Sequence, residues 1–222
     1  MKRKLSAKKK FVPVFLVLCL MLTLTLMSMT AMAADTDITS KFTDPIFRDA
    51  VRNELGIGPT DPIYDTAVAA LIYLDVSGLG ITSLDGIECF TSLEVLFCSD
   101  NQLSNLDLSG LSSLELLWCE DNELPSLDLT GLGSLEYLYC YANQLPSLDL
   151  SSLTGLAYLN CSDNQLTSLD LTSCIGSLTD LYCSNNYMNN PETDILGFAS
   201  RNLTDYQIIP QNTPGSNDAS IP

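Results

Sequence analysis

The segment LEVLFCSDNQLSNLDLS, at residues 93–109, recurs with substitutions at residues 114–130, 135–151 and 156–172. A shortened copy, LTDLYCSNNYM, follows at residues 178–188. The copies share the pattern L-x-x-L-x-C-x-x-N-x-L-x-x-L-D-L-[ST], and successive cysteines lie 21 residues apart except for a last step of 22. The repeat cysteines are Cys98, Cys119, Cys140, Cys161 and Cys183. This period is typical of a solenoid built from stacked coils.

The first part of each copy has the periodicity of a β-strand. In L-x-x-L-x-C, the second leucine and the cysteine point to one side, while their neighbours point to the other. Leu96 and Cys98 are therefore predicted to face the interior of a coil. The residues beside them, Val95, Phe97 and Ser99, are predicted to face outward.

An asparagine follows each strand, where the chain must turn through a buried corner. Its side-chain amide both donates and accepts hydrogen bonds, so it can satisfy peptide groups that the turn leaves without partners. We expect the amides of stacked coils to form a ladder. Its members are Asn101, Asn122, Asn143, Asn164 and Asn186.

A degenerate sixth copy precedes these five. It carries Leu79 where the asparagine is expected. Its apolar positions are kept by Leu71, Leu74, Val76, Ile81, Leu84 and Ile87.

The pattern L-x-x-L-x-L-x-x-[NC]-x-L is that of leucine-rich repeats. Over roughly residues 41–190 the sequence resembles secreted bacterial leucine-rich-repeat proteins related to internalins. The resemblance implies an α/β repeat fold, a leucine-rich-repeat solenoid of about six repeats of 21–22 residues, with a parallel concave β-sheet and a small helical N-terminal cap. Cysteine replaces the second aliphatic residue of the strand, and the period is mostly 21 where internalins favour 22. The resemblance therefore implies the fold, not an internalin's ligand.

The start of the chain indicates export. Residues 1–33 combine a basic start, an apolar run and an Ala31-Met32-Ala33 site, which predicts a secretory signal peptide. An uncleaved membrane anchor is the alternative. With the signal removed, we expect no membrane span and a secreted or extracellular protein, with association with the cell surface as a further option.

The remaining chain is predicted to divide into four parts. They are a helical N-terminal cap (34–70), the repeats (71–190), a C-terminal cap (191–210) and a disordered tail (211–222). In the N-terminal cap, Asp44-Pro45 predicts the start of one helix and Gly56 its end. Asp61-Pro62 predicts a second helix that runs to about Ala70.

The C-terminal cap contains two expected elements. A short helix is predicted from Pro191 to Ser200, and a terminal strand or extended segment is predicted around Tyr206, Ile208 and Ile209. The one-residue insertion of the fifth copy, near Cys174-Ile175-Gly176, is expected in a convex loop.

The charge of the chain is strongly negative, with 27 Asp and Glu against 10 Lys and Arg. Six of the basic residues lie in the predicted signal peptide, and none lies between Arg52 and Arg201. Such a surface repels phosphate backbones and anionic membranes, which excludes nucleic acid as a partner. Solubility of an exported protein explains the acidity better than a cationic partner does.

The cysteines do not predict a disulfide framework. Those of the repeats occupy one inward position, so neighbours lie one strand apart with parallel side chains, which does not suit the disulfide dihedral. We interpret them as buried thiols that pack as small hydrophobic groups. The state of Cys89 and Cys174, on connecting segments, stays open. Without histidine or a C-x-x-C motif, no zinc site and no cofactor are expected.

Function is sought in the outward positions of the strands, which are free of core packing. Eight aromatic residues, including the single tryptophan, fall there and are predicted to form one concave patch. The predicted ligand-binding residues are Tyr73, Phe97, Trp118, Glu120, Tyr137, Tyr139, Tyr141, Tyr158, Asn160, Asp180 and Tyr182. An acidic rim is predicted from Glu94, Glu115, Glu136, Asp100, Asp121 and Asp163.

This patch predicts an extracellular binding module whose concave face binds a protein, either a host or a bacterial surface protein, because Tyr and Trp suit interfaces. Carbohydrate binding, to a cell-wall or host glycan stacked on the aromatic rings, is the alternative. A pure scaffold role, through strand propensity and cross-strand pairing, also stays open.

No enzymatic activity is predicted. Histidine is absent and the cysteines face inward, which excludes Ser-His and Cys-His nucleophiles. Carboxylate pairs such as Glu115 with Glu120 or Glu136 are better explained as a solvated rim. A calcium ladder is conceivable, but a Ser or Thr two residues after each Asp favours a role in turns. The column consists of Asp107, Asp128, Asp149 and Asp170.

Overall fold

The computed structural model describes residues 35–197 and 205–207. The predicted signal peptide and the predicted disordered tail lie outside these residues. In the described part, stacked coils form a parallel sheet over a core of leucine and cysteine, which confirms the predicted solenoid. The helices of this part are all too short or too polar to cross a membrane.

Each coil contributes one short strand to the main sheet. In chain order the strands are β1 (Tyr73–Asp75), β2 (Val95–Phe97), β3 (Leu116–Trp118), β4 (Tyr137–Tyr139), β5 (Tyr158–Asn160), β6 (Leu169–Asp170), β7 (Asp180–Tyr182), β8 (Ile195–Leu196) and β9 (Asp205–Gln207). The main sheet has the order β1-β2-β3-β4-β5-β7-β9, and β6 pairs with β8 separately. Equivalent residues of neighbouring repeats lie side by side, as Leu96 does beside Leu117. Among the described residues the sheet has seven strands, one more than the expected number of repeats, because β9 adds a strand after the last copy.

The first helix, α1 (Pro45–Leu55), begins and ends where the sequence predicts. Asp44 caps its N-terminus, since Oδ1 accepts hydrogen bonds from the backbone N–H groups of Ile46 and Phe47 at 2.8 and 3.1 Å. Oδ2 accepts from the backbone N–H and the hydroxyl of Thr82 at 2.9 and 2.8 Å. The cap therefore also ties the helix to the first coil.

The second helix, α2 (Asp65–Ala69), is shorter than predicted, and its expected start at Asp61-Pro62 is wrong. The residues before it pair with the N-terminal lead. Ile63 accepts a hydrogen bond from the N–H of Ile38 at 2.9 Å and donates its own N–H to the Thr39 hydroxyl at 2.8 Å. Because Ile63 is also fully buried, this tertiary pairing prevails over the local helix signal.

Three phenylalanines close the N-terminal end of the core. Phe42, Phe47 and Phe90 are fully buried, and their ring centroids lie 5.6 to 6.5 Å apart. They cover the leucines that the first coil would otherwise expose, as the end of a solenoid requires.

The asparagine ladder holds the corner after each strand, as predicted. Asn143 Oδ1 accepts from the N–H of Leu124 at 3.0 Å, and Nδ2 donates to the carbonyl of Cys119 at 3.0 Å, both in the preceding coil. Within its own coil, Nδ2 donates to the carbonyls of Cys140 and Tyr141 at 3.3 Å. The same pattern is formed by Asn101, Asn122, Asn164 and Asn186. Each buried amide therefore joins two coils.

The residue before each asparagine has a left-handed backbone conformation. Its φ angle lies between 51° and 56° at Asp100, Asp121, Ala142, Asp163 and Asn185. Gly78 takes this position in the first copy, with φ of 68°. Aspartate and asparagine tolerate this conformation better than most residues, so the aspartates of this column have a backbone reason in addition to any role as a rim.

The repeat cysteines face the core, as predicted. The fully buried members are Cys98, Cys119, Cys140, Cys161 and Cys183. Burial raises the pKa of the Cys98, Cys119 and Cys140 thiols well above their usual range, so these groups are protonated at neutral pH. Cys98, Cys119, Cys140 and Cys161 form no disulfide and fill the interior as small apolar groups.

The end of the described chain departs from the repeat. The inserted residue follows a 3₁₀ turn at Thr172–Cys174, and Ile175 is exposed there, as expected for a convex loop. The C-terminal helix, α3 (Pro191–Asp194), is shorter than the predicted segment to Ser200. Tyr206 lies in β9, which confirms a terminal strand, while Ile208 and Ile209 lie outside the described residues.

We predict that Asn143→Ala lowers the free energy of unfolding by about 3 kcal/mol. It leaves the buried N–H of Leu124 without a partner, which costs roughly 1–3 kcal/mol, and it removes one of the two side-chain amide bonds to the carbonyl of Cys119. Urea unfolding followed by circular dichroism measures the change. Gln144→Ala, at the exposed neighbouring position, is the matched control and should change stability by less than about 0.5 kcal/mol. Equal losses in the two variants would contradict the role of the ladder.

We also predict that the ladder thiols of the native protein resist a thiol-labelling reagent near pH 8. Their protonated, enclosed state leaves little thiolate, whereas Cys89 is only partly buried and should react first. The labelling rate should lose its fast phase in Cys89→Ala and rise for all thiols in guanidinium chloride. Rapid labelling of folded Cys89→Ala would show that the ladder is accessible.

Candidate functional site

Six aromatic side chains form a continuous stack along the main sheet, here called the aromatic ladder. It consists of Tyr73, Phe97, Trp118, Tyr139, Tyr158 and Tyr182. Successive ring centroids lie between 4.3 Å, for Phe97 and Trp118, and 5.6 Å, for Tyr158 and Tyr182. Pairs at such distances are worth about 0.5–1.5 kcal/mol beyond their burial. The ladder therefore stabilises the sheet whether or not it binds anything.

The ladder crosses between the two outward columns at three steps, from β1 to β2, from β4 to β5 and from β5 to β7. Asn160 lies directly beside Tyr139, and Tyr158 lies beside Tyr137. Tyr139 stacks instead on its diagonal neighbour Tyr158, with centroids 4.5 Å apart and ring planes 22° apart. Diagonal neighbours on adjacent strands remain within reach of long side chains.

The other predicted binding residues also lie in the outward columns, but outside the aromatic ladder. Tyr137 and Tyr141 are partly buried. Asn160 Oδ1 accepts the N–H of Ser162 at 3.2 Å, and Asp180 Oδ2 accepts the hydroxyl of Thr179 at 2.6 Å. These polar side chains therefore already have partners within the chain.

The aromatic rings are less exposed than the sequence suggests. All six members of the ladder are partly buried, because each ring covers part of its neighbour. The large apolar side chains that are more exposed lie elsewhere, as Ile46 and Leu79 do at 44 % and 45 % exposure. The surface is therefore a row of ring edges with restricted access to the ring faces.

The residues that directly follow the repeat cysteines were predicted to be outward and free of packing, but most of them are buried. Ser99, Ser162 and Ser184 are only 6–7 % exposed. The hydroxyl of Ser99 donates to that of Ser77 at 3.1 Å, and Ser184 donates to Ser162 at 3.4 Å. This column is a buried corner in which neighbouring serines satisfy each other.

Glu120 interrupts this serine column. It is 8 % exposed, and its Oε2 atom is enclosed without a hydrogen-bond partner. Burial raises the pKa of Glu120 to about 7, and the neighbouring carboxylates of Asp121 and Asp100 act in the same direction. Trp118 Nε1, two residues earlier, is likewise enclosed without a partner.

Neighbouring carboxylates of the predicted acidic rim repel each other at Glu115 and Asp121. Glu115 and Glu136 are exposed and Glu94 is partly buried. Partial burial, followed by repulsion from Glu94 and Glu136, raises the pKa of Glu115. Burial also raises the pKa of Asp121, with Asp100 as the next cause. The concave side thus carries carboxylates whose charged forms are disfavoured.

The carboxyl groups of the Asp column, defined by Asp107, Asp128, Asp149 and Asp170, have lowered pKa values instead. Asp149 Oδ1 accepts the backbone N–H of Ser151 at 2.9 Å, which lowers the pKa of that carboxyl. Asp107, Asp128 and Asp170 make the same bond. The predicted turn role is confirmed. Within residues 35–197 and 205–207, no group of three or more His, Cys, Asp or Glu is placed to hold a metal ion.

A hollow of about 320 Å³ lies away from the concave columns. It is lined by residues of the cap and of the first convex segments, among them Lys41, Glu88 and Asp107. Lys41 Nζ forms an ion pair with Glu88 at 3.0 Å and also contacts Cys89 Sγ at 3.2 Å. This local pairing ties the cap to the first coil.

The enclosed atoms of Trp118 and Glu120 are the feature that reasoning from the sequence missed. Alternation along a strand places both residues outward but does not reveal that neighbours cover them. A signal was present, because Glu120 stands where most copies carry serine.

No protein-family model matches the sequence, and no curated protein matches it. Among solved structures, the chain is similar to the functional domain of InlJ from Listeria monocytogenes, which is described as including a cysteine ladder. The TM-score is 0.74 and the identity 32 %, over 82 % of this chain and 39 % of that one. The chain thus spans well under half of the InlJ structure.

Two further internalins of Listeria monocytogenes have similar structures. Internalin C2 has a TM-score of 0.57 and 25 % identity, over 82 % of this chain and 93 % of that one. InlF has a TM-score of 0.62 and 23 % identity, over 83 % and 61 %. The parallel solenoid, its asparagine and cysteine ladders and these neighbours together show that the chain is an internalin-like leucine-rich-repeat protein.

Proposed function

We propose that this chain is an extracellular binding protein whose concave face binds a protein partner through the aromatic ladder. The observation that carries the proposal is the unbroken row of six rings across six adjacent strands. The internalin-like neighbours support a protein-interaction module in general. Tyrosine and tryptophan supply contact area with little loss of side-chain entropy, and they are enriched at binding hot spots.

A pure scaffold explains part of this surface but not all of it. Ring stacking alone stabilises the sheet, and aliphatic residues such as Val95 and Leu116 serve that purpose in the same columns. A scaffold has no use for the enclosed, unpartnered atoms of Trp118 and Glu120, which each destabilise the fold. Polar atoms that the fold leaves without partners favour a surface completed by a ligand.

The ring geometry favours a protein over a glycan. A sugar stacks on an open aromatic face, but the faces of Phe97 and Trp118 are stacked on each other at 4.3 Å, with planes 27° apart. Tyr139 and Tyr158 are stacked in the same way. Ring edges with a carboxylate rim suit the mixed apolar and basic surface of a protein. Carbohydrate binding through Tyr137 and Tyr141, which lie outside the ladder, is the second candidate.

The setting of this binding is also part of the proposal. The predicted signal peptide and the internalin-like fold support a protein that acts outside the cell or at its surface, with a host or bacterial surface protein as partner. The repeated, mutually repelling carboxylates support binding rather than catalysis, since an acid–base pair needs two carboxyl groups with distinct environments in a cleft.

We predict that the double variant Tyr139→Ala, Tyr158→Ala loses binding to partner proteins. These side chains form the middle of the aromatic ladder, so their removal opens a gap of two rings in the contact surface. The immobilised mature chain would be incubated with surface-protein extracts of bacterial and host cells, and the bound proteins quantified. We expect at least a tenfold loss for a central hot-spot pair.

The matched control is Ile175→Ala, which removes an exposed apolar side chain from the convex loop and should leave binding unchanged. Circular dichroism melting would verify that both variants are folded. Equal binding by the double variant and the wild type would contradict the concave site. Saturable quenching of the Trp118 fluorescence by wall or host glycans would instead favour the carbohydrate alternative.

A further inference from the structure

The two central coils depart from the repeat at neighbouring positions. The residue that directly follows the repeat cysteine, or Val76 in the first copy, is serine in four of the six copies. It is Glu120 in the third copy and Tyr141 in the fourth. The N–H of Asp121 donates to the carbonyl of Tyr141 at 3.2 Å, so the register of β3 and β4 continues into the corner. Glu120 and Tyr141 therefore lie side by side, and the serine copies provide an internal reference for both.

A structural role does not account for the carboxylate at this position. Serine satisfies its hydroxyl along the column, whereas Glu120 Oε2 is enclosed and unpartnered. No Lys or Arg occurs between Arg52 and Arg201 to neutralise it, and the chain has no histidine. The ionisable groups that face Glu120 are all acidic or neutral. They are Asp100, Asp121, Tyr139, Tyr141 and, on the core side, Cys98, Cys119 and Cys140.

Trp118 provides a second, independent polar atom in the same coil. Its Nε1–H is enclosed without an acceptor and belongs to the residue two positions before Glu120. Tyr141 adds a ring that is not part of the aromatic ladder. Glu120 and Tyr141 are thus neighbours on adjacent coils, and Trp118 belongs to the strand that leads into Glu120.

We propose that Glu120, Trp118 and Tyr141 form a subsite for one arginine side chain of the protein partner. This inference rests on the proposed function of the concave face. The guanidinium group donates to the Glu120 carboxylate in charge-assisted hydrogen bonds and lies against the Tyr141 ring. The Trp118 N–H donates to a main-chain carbonyl oxygen of the partner. Because Oε2 is enclosed in the free chain, the side chains that cover it turn aside when the arginine enters.

Arginine fits this subsite better than lysine. The planar guanidinium offers several donors in a fixed fork, stacks on aromatic rings and loses less hydration than an ammonium group when it is buried. The excess of acid over base on the repeats provides long-range attraction for a basic partner.

The subsite should bind its ligand more tightly as the pH rises. Burial raises the pKa of Glu120 to about 7, so the free chain carries a protonated carboxyl at pH 6 and a carboxylate at pH 8. Only the carboxylate pairs with guanidinium. The affinity is therefore expected to rise about tenfold over this interval.

The single tryptophan makes a direct test possible, because its indole N–H gives one resonance in the ¹⁵N-labelled mature chain. The probe is the capped peptide acetyl-Gly-Arg-Gly-amide, and its citrulline counterpart is the uncharged match. We expect a saturable shift of the indole resonance with the arginine peptide, about tenfold tighter at pH 8 than at pH 6, and no saturable shift with citrulline.

Variants then assign the effect to Glu120. Glu120→Ser restores the residue of the other copies and should keep the fold, while Glu120→Gln keeps the size of the side chain. Both are expected to weaken arginine-peptide binding at least tenfold at pH 8 and to abolish its dependence on pH. Glu123→Gln, an exposed residue of the same coil, removes the same charge and should bind within twofold of the wild type.

The inference is overturned if the arginine peptide produces no saturable shift, if citrulline binds equally well, or if Glu120→Ser binds like the wild type. Dependence on pH that persists in Glu120→Gln would assign the titration to a different group and equally overturn it. These results leave the concave site standing as long as the Tyr139, Tyr158 double variant still loses its protein partner. Peptide binding at Glu120 together with full partner binding by that double variant would overturn the proposed function instead.

Discussion

The solenoid depends on how each coil satisfies the peptide groups of its buried corner. A side-chain amide does this by donating and accepting at once, and in each case it reaches back to the preceding coil, as Asn122 does to the Leu103 N–H and the Cys98 carbonyl. This direction explains why the first copy carries Leu79 instead. It has no preceding coil to bond, and the Asp44 cap supplies the link to the helix that precedes it. The ladder therefore begins only where a coil exists beneath it.

Once the peptide groups of the corner have hydrogen-bond partners, a few positions of the repeat can vary. The residues at one such position can then be compared from coil to coil. Serine pairs and left-handed aspartates recur because the corner geometry recurs. Aromatic residues recur in the outward columns but switch between them, so that stacking passes diagonally from Tyr139 to Tyr158. Features shared by all coils therefore reflect the fold, and features confined to the central coils indicate what the face contacts.

The repeat pattern predicted the sheet, the two ladders and the α1 cap because each depends on local spacing. The shortened α2 helix was not predictable in this way, since it results from the pairing of Ile63 with Ile38, far away in the sequence. β9 was predicted only as a terminal strand, because it lacks the leucine pattern by which repeats were counted. The predicted binding residues share one face, but strand alternation failed at Glu120. β3 ends at Trp118, and the two following residues already belong to the corner, where alternation does not decide burial.

The acidic residues themselves separate into two groups with opposite electrostatics. On the Asp column, the hydroxyl and the backbone N–H of the Ser or Thr two residues later stabilise the charged carboxylates, and folding lowers their pKa values. On the concave side, burial and like-charged neighbours raise the pKa values of Glu115, Glu120 and Asp121. Solubility alone would be served by exposed carboxylates of the first kind. Carboxyl groups of the second kind make the folded protein less stable as the pH rises through their raised pKa values. The repeats contain no basic residue that could stabilise the charged carboxylates. A positively charged partner would remove this penalty only on the concave side, which makes the position of the charge, more than its total amount, the argument for binding there.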